Sequence, residues 1–227
     1  MRGALEALEE DDVTIDFLRY GVIAMTGYKR EADLYNTVKN LTKTEKQAVS
    51  LATSLDDLAS VYAATLSSDH ASWNGYPAPA RKALQVLNLL DIRPLRALVL
   101  AVAARVGPAE AAKTLKFLAS LGVRLLTASS TRSASVETPL AETARKVYAG
   151  EVTAAAVVKR ELSAVTPSDS AFSDAMKSAK VSNARLARYF LRSLELANSD
   201  DSEPYFIPND DEVINLEHVL PKRPDGN

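Results

Sequence analysis

Cysteine is absent from all 227 residues. Disulfides and thiolate metal sites are therefore excluded. Histidine occurs only twice, at His70 and His218, so a histidine-rich metal cluster is not available. No glycine-rich loop follows a strand-like run, which argues against a phosphate-binding loop or a dinucleotide-binding turn. No serine stands on a nucleophile elbow. Charge of either sign is not in excess: 27 basic against 29 acidic residues leave a net −2. Any contact with nucleic acid would then fall to a local basic patch. The longest apolar run, residues 95–106, is interrupted by Arg96 and bounded by Arg105. It is far too short to span a membrane. The first ten residues are acidic and carry no apolar signal core. A cytoplasmic protein with no membrane partner is expected.

What is present is alanine, leucine and helical periodicity. Hydrophobic residues make up 47%, enough to bury a core. β-Branched residues cluster little before residue 205, so the body is predicted to be mainly α, a multi-helix bundle. Helices are predicted over residues 12–25, 31–41, 44–66, 80–90, 93–106, 108–121, 139–148, 152–163 and 182–197. The third opens with Thr44 and Gln47 at capping-box spacing. Its stripe is expected to be Val49, Ala52, Leu55, Leu58, Ala59 and Tyr62. The helix over 93–106 is apolar over most of its surface and is expected at the centre of the bundle. Residues 67–79 break the pattern with Gly75, Pro77 and Pro79. There His70 is read as a surface residue and Trp73 as a plug in the core, in preference to a binding loop. Residues 127–135 are rich in serine and threonine and read as a surface loop with Arg132 in it.

In the last predicted helix Ala184, Ala187, Leu191 and Leu194 form the expected inner face. Arg185, Arg188 and Arg192 recur at i, i+3 and i+7, which makes a basic stripe. With Lys177, Lys180, Lys222 and Arg223 they are the candidate nucleic-acid contacts. The alternative is a solvated helix face paired with Glu195, and the sequence leaves both open.

The stretch Val213-Ile214-Asn215-Leu216-Glu217-His218-Val219-Leu220-Pro221 brings together a histidine, a carboxylate, β-branched residues and a proline. It is predicted to be a short strand. A neutral His218 imidazole suits a general base near neutral pH, and the Glu217 carboxylate suits a hard divalent cation. Neighbouring strand residues face opposite ways, so one shared site requires a twist or the end of the strand. An edge strand with two polar residues is the plain alternative.

Asn215-Leu216-Glu217-His218-Val219-Leu220-Pro221 resembles the opening of an HNH (His-Me finger) motif. More narrowly, it resembles the Glu-His-Ile-Leu-Pro signature of the nuclease domain in GmrSD-type restriction endonucleases. The preceding Ala187-Arg188-Tyr189-Phe190-Leu191-Arg192-Ser193-Leu194-Glu195 is similar to the aryl-leucine-arginine helix that comes before that signature. The resemblance implies an endonuclease that hydrolyses DNA phosphodiester bonds in bacterial defence against foreign DNA. It implies His218 as the general base, Glu217 as the metal ligand, and Mg or Mn as the metal of a completed site. It also implies a nucleotide-binding ParB-like domain or subunit as a partner.

The family's second strand, helix and further ligands do not follow His218 in this sequence, and its Asp-Gly-Gln-Gln-Arg type signature does not precede the helices. The expected architecture is a helical domain over 1–166. Residues 167–227 then carry the last helix and a short C-terminal β-strand beginning an incomplete ββα-metal (HNH) motif. Relative to the family it is truncated at both ends, and inactivity and no bound cofactor are expected of the isolated fragment. The alternative is a non-catalytic helical interaction module, or a subunit needing a partner.

Overall fold

The computed structural model describes residues 11–128, 134–181 and 184–198. Among them lie ten α-helices and three 3-10 turns, and no strand. The β-strand expected around Glu217 and His218 lies outside the described residues, as does Arg132. Two compact units divide the chain, Met1–Lys177 and Ser178–Asn227. The ninth helix, beyond residue 166, thus belongs to the first unit.

The first unit begins with α1 (Asp11–Thr26). A 3-10 turn (Glu31–Asp33) leads into α2 (Leu34–Leu41). Next comes α3 (Glu45–Leu66), which starts at the expected capping box. Gln47 N–H donates to Thr44 Oγ1 at 3.3 Å, and Thr44 N–H to Gln47 Oε1 at 3.1 Å. Two donors of the first turn are thereby satisfied. Only from Leu55 onward is the inner stripe of α3 buried; Val49 is 59% exposed.

After α3 the chain makes a 3-10 turn (Ala71–Gly75) with Trp73 buried in it. The indole Nε1–H donates to the Ala64 carbonyl at 2.7 Å, and the ring meets Tyr76 edge-on at 4.8 Å. His70 is exposed and only caps the turn, its Nδ1 accepting from Ser72 N–H at 3.2 Å. Helices α4 (Ala78–Leu90) and α5 (Arg93–Arg105) follow, separated by a two-residue turn. Asp91 adopts the left-handed conformation there, at φ 44°. Arg96 holds that turn. One guanidinium nitrogen donates to Asn88 Oδ1 at 2.6 Å, the other to Asp91 Oδ1 at 3.0 Å.

The central position of α5 comes from its composition. Leu95 and all six residues from Ala97 to Val102 are buried, more than one face of a helix. Four helices surround it: α1, α3, α6 (Pro108–Thr127) and α7 (Ala134–Tyr148). Ala97 and Ala101 on α5 and Ala141 and Ala144 on α7 are all buried. Small side chains of this kind let helix axes approach closely. The helix predicted over 108–121 runs on to Thr127 as α6. Its Gly122 packs where a Cβ would come within 3.0 Å of Leu90 and 3.1 Å of Ile92.

Helix α7 begins one turn before Pro139, the residue expected to open it. Proline there removes a single N–H bond to the preceding turn. The unit ends with α8 (Ala155–Glu161), a 3-10 turn (Ser163–Val165) and α9 (Asp169–Lys177). The Glu110 carboxylate on α6 accepts the first N–H of α8, from Ala155, at 2.8 Å. That group has no partner within its own helix.

Phe17 and Tyr20 of α1 gather around Tyr62 of α3, with ring centroids at 5.3 and 6.3 Å. Burial first, and then Asp16, push the Tyr62 hydroxyl up to about 12 from an ordinary 10.0. A phenol pKa raised on folding means that the folded state holds its proton more tightly. Stability from this source is full below pH 10 and is lost as pH rises toward 12. Alkaline denaturation followed by circular dichroism is expected to show wild type losing stability in that window. Tyr62→Phe should be nearly neutral at pH 7 and should lose less above pH 10. Identical alkaline profiles would contradict the burial of this hydroxyl.

In the second unit α10 (Ala184–Asn198) is the described element. Leu191, Leu194 and Leu196 are 53%, 52% and 47% exposed, whereas Arg188 is 6% exposed. The expected inner face, with Leu191 and Leu194 on it, is thus the more exposed one.

Candidate functional site

Of the residues singled out in the sequence, Glu217, His218, Lys222 and Arg223 lie outside the described residues. Arg185 stands in the first turn of α10, and its side chain lies outside the described residues too. Arg188 is buried and Arg192 half-buried, and each already has an interaction partner. The three arginines therefore do not make one open stripe of the kind the i, i+3, i+7 spacing suggested. Arg192 is the described member with side-chain surface to offer a phosphate. Among the described residues no group of three or more carboxylates and histidines gathers as a metal site.

The first unit holds a different feature that sequence reading missed: a cleft of about 550 Å³. That is within the range of small-molecule sites, roughly 300–1,000 Å³. Seven parts of the chain build it. Helix α1 supplies Arg19, Tyr20 and Ile23, and the connector after it supplies Tyr28 and Lys29. Helix α4 supplies Leu90, the α4–α5 turn Asp91 and Ile92, and α5 Arg93, Pro94 and Ala97. The far wall is Leu126 of α6 with Glu137 and Ala141 of α7.

Local chemistry explains why each wall sits where it does. Helix α1 ends at Gly27, whose φ is +79° and whose N–H donates to the Ile23 carbonyl at 2.9 Å. Glycine adopts this conformation without steric cost. A Cβ at Gly27 would also overlap the Glu142 carboxylate. That carboxylate accepts from Tyr28 N–H at 3.3 Å and from Arg145 at 3.2 Å. The connector carrying Tyr28 and Lys29 is thereby tied to α7. The opposite lip is fixed by Arg96, which holds Asn88 and Asp91 as described above.

The charged groups of the cleft differ in how far they are committed. Asp91 is paired with Arg96 at 3.0 Å. Arg19 donates through Nη1 to Glu31 at 2.8 Å, while its Nε–H is buried with no hydrogen-bond partner among the described residues. Arg93 lies 3.6 Å from Asp16 and its side chain is 62% exposed. Lys29 and Glu137 make no ion pair among the described residues. Burial, and after it Asp16, raise the pKa of Tyr20, so its phenol stays protonated in the wall. The arrangement offers apolar surface with a few convergent polar groups.

A weak signal for this cleft exists in the sequence. Tyr28-Lys29-Arg30 follows the helix-ending Gly27, and Asp91-Ile92-Arg93-Pro94 links two helices. Each puts a cation beside a tyrosine or proline at a helix end. What no spacing rule gives is that residues more than sixty positions apart meet. No helix among the described residues is long and apolar enough to cross a membrane. No protein-family model, no curated protein and no solved structure matches this chain.

Proposed function

We propose that this chain is the helical region and motif opening of a GmrSD-like HNH endonuclease that hydrolyses DNA phosphodiester bonds in defence against foreign DNA. The observation that carries the reading is order. An aryl-leucine-arginine helix, Ala184–Asn198, is followed by Asn215-Leu216-Glu217-His218-Val219-Leu220-Pro221. In this reading the His218 imidazole takes the proton of the attacking water. Glu217 offers a carboxylate to a divalent cation. When bound, Mg or Mn supplies a positive charge that offsets the charge developing on the phosphate. Arg192, with Arg185, Lys222 and Arg223, would contact backbone phosphates, a sequence-independent and salt-dependent form of binding. A nucleotide-binding ParB-like domain or subunit belongs to the same proposal.

A specific observation favours a second reading as a non-catalytic interaction module. Leu191, Leu194 and Leu196 are each about half exposed on one helix, more apolar surface than a solvated helix needs. One experiment separates the two. The protein isolated from its own cells is incubated with plasmid and phage DNA, with Mg or Mn. Under the nuclease reading His218→Ala lowers cleavage by roughly 100-fold or more, with DNA binding retained. Cleavage unchanged in His218→Ala would sink the nuclease reading. The 227-residue chain by itself is expected to be inactive under either reading. The sample that decides is therefore the protein with any partner domain or subunit it carries in its own cells. If that cuts no DNA with either metal, the interaction module is the better account.

A further inference from the structure

We infer that the cleft between α1, the α4–α5 turn and α7 binds a small organic anion, a phosphate or carboxylate carried on a flat apolar body. The inference is independent of the nuclease reading, because the cleft lies wholly in the first unit and shares no residue with the proposed DNA site.

Sign comes first. The wall carries three cations, Arg19, Lys29 and Arg93, against two carboxylates, Asp91 and Glu137. Asp91 is already neutralised by Arg96. Asp16 and Glu31 likewise offset Arg93 and Arg19 from outside the wall, so the case for an anion rests on the hydrogen-bond donors these cations have left. At 3.6 Å the Arg93–Asp16 pair is too long for a good hydrogen bond, so Arg93 keeps donors to give. Arg19 spends Nη1 on Glu31 and keeps Nη2. Lys29 makes no ion pair among the described residues. Three donors with unused capacity thus face one cavity, and guanidinium groups match the flat fork of a carboxylate or phosphate.

Shape comes second. Ile23, Leu90, Pro94, Ala97 and Leu126 line the same space. A bare ion would leave this surface in contact with water, whereas an aryl group would cover it. Tyr20 and Tyr28 offer ring edges and faces to such a group. Glu137, which makes no ion pair among the described residues, remains available to accept an N–H or O–H from the ligand.

The probes are phenyl phosphate, inorganic phosphate and benzylamine, each titrated calorimetrically into the full 227-residue chain. Phenyl phosphate is expected to bind saturably, more tightly than inorganic phosphate, and benzylamine not to bind. Lys29→Gln and Arg93→Gln are each expected to weaken phenyl phosphate about tenfold. Arg93 is exposed and Lys29 half-buried outside the core, so melting temperatures measured beside the titrations should stay near wild type, which separates lost binding from lost folding. Glu137→Gln, which removes a negative charge from the wall, should tighten phenyl phosphate binding, and weaker binding in that variant would count against an anion site. Binding unaffected in the Lys29→Gln/Arg93→Gln double variant would overturn the inference. So would inorganic phosphate matching phenyl phosphate, benzylamine binding equally well, or no saturable binding of any probe.

Discussion

Replacing Trp73 by alanine is expected to cost roughly 3–5 kcal/mol of stability, the range for removing a large buried aromatic side chain. Trp73 is 2% exposed although it sits in a linker between α3 and α4. Two terms contribute. The larger is the void left when the indole is removed, since the surrounding helices relax only in part. The smaller is the hydrogen bond from the indole N–H to the Ala64 carbonyl at 2.7 Å. That carbonyl also accepts from Ser67 N–H at 3.3 Å, so it keeps a partner in the variant. The cavity therefore dominates, and Trp73→Phe, which keeps a ring, should cost much less than Trp73→Ala. Trp73 is the single tryptophan of the chain, so unfolding in urea must be followed by circular dichroism in all three proteins. A loss under about 1 kcal/mol in Trp73→Ala would mean that the turn does not anchor α3 to α4, because surface substitutions fall in that range.

The role of Trp73 was legible in the sequence, and the reason shows what kind of information a sequence carries. A large aromatic in a segment broken by glycine, proline and serine has few ways to avoid water other than packing onto its neighbours. Local rules were equally sufficient at Thr44 and Gln47, where the capping box needs only three residues of chain, and at α5, whose apolar residues exceed one face.

Longer-range facts were not legible. Val49 keeps the helical spacing of the α3 stripe, yet it is 59% exposed, because periodicity says which face is apolar and not how far a neighbour extends along it. On α10 the same limit applies to Leu191 and Leu194, and Arg188 is buried although spacing put it on a basic stripe. The cleft was missed for a related reason. Arg19, Lys29, Arg93 and Glu137 are brought together only by the packing of α1, α5 and α7. No short motif encodes that meeting. The Glu217–His218 pair is the converse case, proposed from a short motif and a resemblance alone.

Leu98→Ala should lower stability by about 2.7–5 kcal/mol, a fall in melting temperature on the order of 10 °C for a unit of this size. Leu98 is 0% exposed at the middle of α5. The size of the effect follows from topology. A buried leucine between two elements leaves a cavity that one of them can shift to fill. Leu98 lies on a helix with α1, α3, α6 and α7 around it, so movement toward the void from one side opens space on another. Collapse is then incomplete and the cost falls in the upper part of the range. The control is Leu191→Ala, the same chemical change at a residue 53% exposed, expected within about 0.5 kcal/mol of wild type. Urea denaturation of the three proteins checks both values. An unchanged denaturant dependence with a lower midpoint would show that Leu98→Ala acts on stability and not on compactness. Comparable losses from the two substitutions would contradict the central position of α5, on which the placement of the cleft walls depends.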